Sequence, residues 1–125
     1  MTISETIQSY LHALERGDEY GVLQLFADNA IVISPLYGRM KANDFYEQLF
    51  EDTAQSLITL LQIFKGAQPG SASAHFRYRW TLEDEQPVTF EAVDIFEFDN
   101  QKKISKLTII YDTVYVREAF ERLRG

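Results

Sequence analysis

The residue with the clearest chemical potential is Asp94, an acid set inside the apolar run FEAVDIFEF with Val93, Ile95 and Phe96 around it. An ionised carboxylate is costly to bury, so such a group raises its pKa or finds a partner. An acid in this setting serves one of two ends. It handles protons, or it bonds a helix-end amide or neighbouring side chain and holds the fold together. The other ionisable groups offer less. His12 and His75 are the only histidines and cannot build a His-rich metal site alone, and the absence of cysteine removes disulfides, thiolate zinc, iron–sulfur clusters and thiol nucleophiles. Asp112, followed by Thr113 and Val114, reads as a helix cap rather than a cavity base. Glu83, Asp84 and Glu85 read as a solvated hairpin tip rather than a cation site. With no Gly-rich phosphate loop, nucleophile elbow or metal motif, no cofactor and no metal are expected.

The elements that must position Asp94 follow from periodicity. Thr2 with Glu5 forms a capping box, and Ile3, Ile7, Tyr10, Leu11 and Leu14 recur at helical spacing before Gly17, which predicts a helix over 3–16. Asp18 caps a second, shorter helix whose apolar face uses Val22, Leu23, Leu25 and Phe26. Residues 30–34 read as a short strand, Pro35 and Gly38 punctuate a loop, and a third helix over 42–52 shows Phe45, Tyr46, Leu49 and Phe50 on one face. Four strand-like runs follow, 56–65, 71–82, 88–98 and 102–111, joined by GAQPG, EDEQP and DNQ, links short enough to imply antiparallel neighbours. A last helix over 114–123 closes the pattern. His12, two residues from Tyr10, points about 200° away from it and faces solvent when Tyr10 faces the core.

These 125 residues make one domain, spanning 1–125, with ordinary globular usage: 46% hydrophobic, 25% charged and 17 aromatics. A net charge of −7 makes nucleic acid and anionic membrane surfaces poor partners. No apolar run approaches the ~18–20 residues of a membrane span, and MTISETIQSY lacks the pattern of a leader, so the chain reads as cytoplasmic. Helices segregated from a long meander give an α+β class, and strands of about ten residues must curl, leaving a conical interior under the helices.

The stretches YLHALERGDEYGVLQLFADNAIVISP and VDIFEFDNQKKISKLTIIYD resemble the opening and the last hairpin of the nuclear-transport-factor-2-like superfamily, and most closely its SnoaL-like polyketide cyclases and ketosteroid isomerases. The resemblance covers almost the whole chain and implies a cystatin-like α+β roll, a cone-shaped curved antiparallel sheet wrapped by N-terminal helices. It carries no single function, because this fold hosts isomerases, cyclases, hydrolases, dehydratases and noncatalytic association domains. Ketosteroid isomerases use a tyrosine on the first helix, an aspartate base ending the first strand before a proline, and a second aspartate in the penultimate strand. Tyr10 and Asp94 match the first and third. Ser34 stands where the base would be. In those enzymes an apolar site keeps an acid protonated so that, beside a tyrosine, it donates a hydrogen bond to a developing enolate.

Side chains two apart on a strand share a face, so Phe90, Ala92 and Phe96 point inward with Asp94. By analogy of register, Phe76, Tyr78, Trp80, Leu107, Ile109 and Tyr111 join them, with Phe45 and Leu49 from the third helix and Ser34 at the first strand's end. Such walls either hold a small apolar molecule, such as an aromatic or polyketide-like ketone, or fill the cone completely. The opposite parity leaves Arg77, Arg79, Glu91, Val93, Ile95, Thr108 and Ile110 outside, a mixed apolar and charged face suited to a homodimer. Two functions follow. One is a cofactor-independent isomerase or cyclase acting through an enolate, with Tyr10 and Asp94 catalytic and the usual base replaced by Ser34. The other is a noncatalytic dimeric binding or association module.

Overall fold

The computed structural model describes residues 1–114 and 116–125. Helix α1 (Ile3–Arg16) begins at the capping box: Glu5 N donates to Thr2 Oγ1 at 3.1 Å and Thr2 N donates to Glu5 Oε1 at 2.8 Å. It ends at Gly17, whose φ of 70° is open to glycine at little cost. Ile7, Tyr10, Leu11 and Leu14 are buried, as the spacing requires. Helix α2 (Glu19–Leu23) starts under the Asp18 carboxylate, which accepts from Gly21 N at 2.9 Å.

Strand β1 (Phe26–Ser34) begins four residues earlier than periodicity predicts, and Leu25 and Phe26 leave the helix. Long-range pairing decides this. Ile104 N donates to Leu25 O at 2.9 Å and Phe26 pairs with Ile104, while an irregularity between Phe26 and Ile31 leaves Asp28 and Asn29 exposed. The expected loop after Pro35 contains a strand, β2 (Gly38–Lys41), that pairs antiparallel with β1. Helix α3 (Ala42–Glu51) buries Phe45, Tyr46 and Leu49.

The meander runs through β3 (Thr53–Lys65), β4 (Ser71–Leu82), β5 (Pro87–Phe98) and β6 (Ile104–Tyr111). Helix α4 (Arg117–Arg124) starts later than the predicted 114–123, and residue 115 of that prediction lies outside the described residues. The Asp112 carboxylate accepts from Val114 N at 2.9 Å and Thr113 O from Arg117 N, so these residues form a turn ahead of the helix.

One six-stranded sheet results, in the order β2-β1-β6-β5-β4-β3. It is curved and unclosed. Every neighbouring pair is antiparallel except β1 with β6, which run parallel and join the sheet's first strand to its last. The helices cover the concave face, and the core lies between, from Ile7, Val22 and Val32 to Phe96, Ile104 and Leu107. At the far edge, Glu15 Oε2 accepts from Ile58 N at 2.7 Å, giving a partner to an edge-strand amide that faces away from the sheet.

Candidate functional site

Alternation along β4, β5 and β6 places the site. Ala74 pairs with Asp94 and Asp94 with Ile109, Tyr78 pairs with Phe90, and Ala92 pairs with Tyr111, so these inward side chains share one wall. All of these but Ala74 line a cavity of about 40 Å³. That is room for a few waters at ~10–15 Å³ each, and well below the ~300 Å³ at which drug-sized ligand pockets begin. The cone is neither open on that scale nor filled.

Of the residues expected at the site, Tyr10, Ser34, Phe45, Leu49, Phe76, Tyr78 and Trp80 line this cavity, together with Phe90, Asp94, Ile109 and Tyr111. Phe96 and Leu107 do not. Both are fully buried, and Phe96 packs edge-on against Tyr10 at 5.6 Å, so they close the packed interior beside the hollow and are core residues. Leu14, Tyr37 and Ala92 complete the lining. Ala92 shares the parity of Asp94, and Leu14 follows Tyr10 and Leu11 on the α1 face. Tyr37 lies on the turn between β1 and β2, where no periodicity assigns a direction.

Asp94 is 1% exposed, and its Oδ1 has no hydrogen-bond partner among the described residues. Burial pushes its carboxyl well above the usual range, which favours the neutral acid. The negative charge it would carry also opposes ionisation of Tyr10, Tyr46, Tyr78 and Tyr111, and burial is the larger cause at each, so neutral phenols ring a neutral carboxylic acid. Such an acid presents one O–H donor and keeps acceptor capacity.

Five other polar side chains of the wall, those of Tyr10, Ser34, Tyr37, Tyr78 and Trp80, are engaged. Tyr10 and Tyr46 hydroxyls meet at 2.6 Å, Tyr78 and Ser56 at 2.8 Å, and Trp80 Nε1 donates to Thr53 Oγ1 at 2.8 Å. Ser34 Oγ accepts from Tyr37 N at 3.0 Å. Tyr37 donates to Asp52 Oδ2 at 2.6 Å, and the same oxygen accepts from Arg124 Nη2 at 2.6 Å. Asp52 was not signalled by sequence, because at the end of α3 it has the look of an ordinary exposed helix terminus, yet it is 5% exposed. His12 is exposed on α1, away from the cavity.

On the convex face Arg77, Arg79, Glu91, Ile95 and Ile110 are exposed, and Val93 and Thr108 half-buried. Glu91 pairs within the chain, with His75 Nε2 at 2.8 Å and Arg77 Nη2 at 3.5 Å. Leu57 and Phe64 of β3 extend the exposed apolar surface.

This curved, unclosed six-stranded sheet with helices across its concave face is the fold of the nuclear-transport-factor-2-like class. Residues 7–107 match the model of the SnoaL-like domain, and the chain belongs to that family. Among solved structures, it is similar over 100% of both chains to a nuclear-transport-factor-2-like protein of unknown function from Burkholderia pseudomallei K96243, at 18% identity and a TM-score of 0.80. It is similar to the epoxide hydrolase/cyclase-like enzyme SalBIII, of pyran ring formation in the polyether salinomycin, at 18% identity and a TM-score of 0.79, over 90% of this chain and 92% of that one. A protein with a ketosteroid isomerase-like fold from Catenulispora acidiphila DSM 44928, in complex with trimethylamine, shares 11% identity over 90% of this chain and 88% of its own, with a TM-score of 0.77. At these identities the likeness is one of fold. None of the curated proteins matches the sequence. Among the described residues no helix is long and apolar enough to cross a membrane.

Proposed function

We propose that this SnoaL-like protein binds a small apolar ketone beside Asp94 and promotes its enolisation, as an isomerase or cyclase does. The observation that carries the reading is Asp94 Oδ1, a buried polar atom without a partner among the described residues, in the wall of an apolar cavity. A ligand oxygen is what such a group lacks. The neutral acid donates to the ketone oxygen, and Tyr10, whose hydroxyl is shared with Tyr46, adds a neutral dipole where negative charge develops.

Ser34 lines the cavity, but its hydroxyl is too weak a base at neutral pH, and its recorded hydrogen bond comes from a backbone amide rather than an imidazole or carboxylate. Asp94 is the only acid among the described lining residues. The proton balance therefore closes on this one carboxyl: one oxygen gives its proton to the ketone, the other takes the α-proton, and the acid is regenerated as the enol leaves.

The second reading is a dimeric module that binds or associates without chemistry, and the small cavity together with the exposed Ile95, Ile110, Leu57 and Phe64 favours it. A homodimer through the convex face would cover those side chains. Because Glu91 is neutralised within its own chain, apolar burial rather than ion pairing across the two-fold would hold it.

Exchange of α-protons for deuterium in cyclopentanone, followed by NMR, separates the two. Exchange above the buffer rate that disappears in Asp94→Asn supports the enolising enzyme. Background exchange in the wild type, with saturable quenching of Trp80 by the same ketone, leaves the binding module.

A further inference from the structure

We propose that Tyr37 is the specificity gate of the cavity, held shut by a latch between Asp52 and Arg124. This rests on reading the cavity as a ligand site, and it adds what decides which molecules enter.

Most of the wall consists of side chains rooted in helices or central strands, where neighbours fix them. Tyr37 is rooted in the turn between β1 and β2 and is only half-buried. Its ring stands between Phe45, which also lines the cavity, at 5.4 Å, and Phe120 of α4 at 5.1 Å, edge-on to both. It is thus wall on one side and floor of the C-terminal helix on the other.

Its hydroxyl is tied down by the carboxylate that also holds α4. Asp52 Oδ2 accepts from Tyr37 and from Arg124, each at 2.6 Å, while Gln48 Nε2 donates to the other oxygen at 3.3 Å. Asp52 is fixed and buried, whereas the Arg124 side chain is 42% exposed, with its guanidinium over the Phe120 ring at 5.1 Å. The latch therefore has one anchored half and one half open to solvent and salt. Releasing Arg124 frees Phe120 to lift from the Tyr37 ring and leaves Tyr37 tied by its single hydrogen bond to Asp52, so that it swings outward when that bond breaks, enlarging the cavity at the one residue of the described lining that sits on a turn.

Shut, the gate favours small ketones of about the size of cyclopentanone. Open, it admits larger, fused-ring ketones. Selection by size thus depends on the energy of the latch rather than on the strands.

Two readouts test this. The first needs no ligand: acrylamide quenching of Trp80, which lines the same cavity and is 2% exposed. Quenching should rise by about two- to fivefold in Arg124→Gln, the population change that loss of one partly exposed ion pair supports. It should rise likewise for the wild type in 1 M sodium chloride, with unchanged far-ultraviolet circular dichroism. The salt titration needs no variant and so stands if Arg124→Gln does not fold. The second compares binding of cyclopentanone and α-tetralone: Tyr37→Ala should shift the affinity ratio toward the larger ketone by about tenfold, roughly the discrimination one side chain in a pocket supplies. Quenching unaffected by both Arg124→Gln and salt overturns the gate. An unchanged affinity ratio in a folded Tyr37→Ala overturns it too. Failure of the enolisation assay leaves the quenching result intact, so the two readings fail separately.

Discussion

The hydroxyls of Tyr10 on α1 and Tyr46 on α3 lie 2.6 Å apart, with both side chains sealed from solvent. Each ring also packs edge-on to the other, at 6.1 Å, and against Phe26. Two helices that cross the cone are thereby joined at a polar contact in its interior, beside the acid of β5. The contact fixes Tyr10 and takes up one of its hydrogen-bonding positions before any ligand arrives.

A double-mutant cycle should expose that coupling. Tyr10→Phe strands the Tyr46 hydroxyl in the core and should cost about 1–3 kcal/mol, the penalty of an unpaired buried polar group. Tyr46→Phe should cost the same. The double variant, with both hydroxyls gone, should lose less than the sum, a coupling of about 1 kcal/mol or more in urea melts. Additive losses would mean that the two hydroxyls hold independent partners.

Asp94 should make the protein less stable as pH rises. Its folded pKa lies above the ordinary carboxylate value because burial disfavours the charge. Above ~pH 4 the unfolded chain has released this proton while the native state keeps it, so ionisation favours unfolding until pH passes the folded pKa. Asp94→Asn removes that burden. It should gain stability over the wild type progressively as pH rises above about 4 and until pH passes the raised folded pKa, and the difference should be constant below about pH 4. Chemical denaturation at pH 3.5, 7 and 9 checks it, and a pH-independent difference would show that Asp94 finds a charge-stabilising partner.

Asp94 itself was readable because strand parity and an apolar neighbourhood act over a few residues. Part of the cavity wall is readable for the same reason: once Asp94 points inward, Phe90 and Ala92 of its own strand must follow, whereas Tyr78 and Ile109, on neighbouring strands, are placed only by analogy of register. Phe96 obeys that parity too and is buried, but parity says nothing of depth along the cone, so its place in the packed core rather than the hollow was invisible. The start of β1 was misplaced because Phe26 has helical spacing after Val22 and is drawn into a strand only by pairing with Ile104, 78 residues later. Strand β2 was missed because its short run, GRMK, carries no alternation of burial and exists only as a ladder partner of β1. The Asp52 cluster lay beyond reach for a similar reason. An acid at a helix end is usually solvated, and only the arrival of Tyr37 and Arg124 from distant parts of the chain makes it a buried junction.

The convex face yields a test of assembly. Ile95 and Ile110 stand 37% and 50% exposed on neighbouring central strands, where apolar side chains of this size gain most from a partner. Ile110→Asp should convert a homodimer into monomers, raising the dissociation constant at least about a hundredfold, as expected for a charge forced into a desolvated interface centre. Its thermal stability as a monomer should be little changed, because the side chain is solvent-facing within the chain. Light scattering across a concentration series reads the outcome. A wild type that is monomeric at 100 µM would remove the dimer altogether.

Ser34→Asp tests whether the missing base is all that separates this cavity from a two-carboxylate isomerase. Ser34 ends β1 at the cavity wall, and its side-chain oxygen accepts from Tyr37 N at 3.0 Å. Aspartate favours the same side-chain-to-backbone turn, so the substitution keeps that hydrogen bond. The amide stabilises the charged form of the new carboxyl and opposes the upward push of burial. The variant would then place an ionised carboxylate in the wall that holds the neutral acid Asp94, with separate groups to take the α-proton and to hold the enolate oxygen. Deuterium exchange into cyclopentanone should rise by about a hundredfold over the wild type, within the range a positioned general base supplies. Adding Asp94→Asn should remove most of that gain, because the asparagine N–H is a far weaker acid than a carboxyl O–H and holds the developing enolate oxygen less tightly. A rise that survives Asp94→Asn would show the new carboxylate acting alone, and no rise would place Ser34 out of reach of a ketone bound at Asp94.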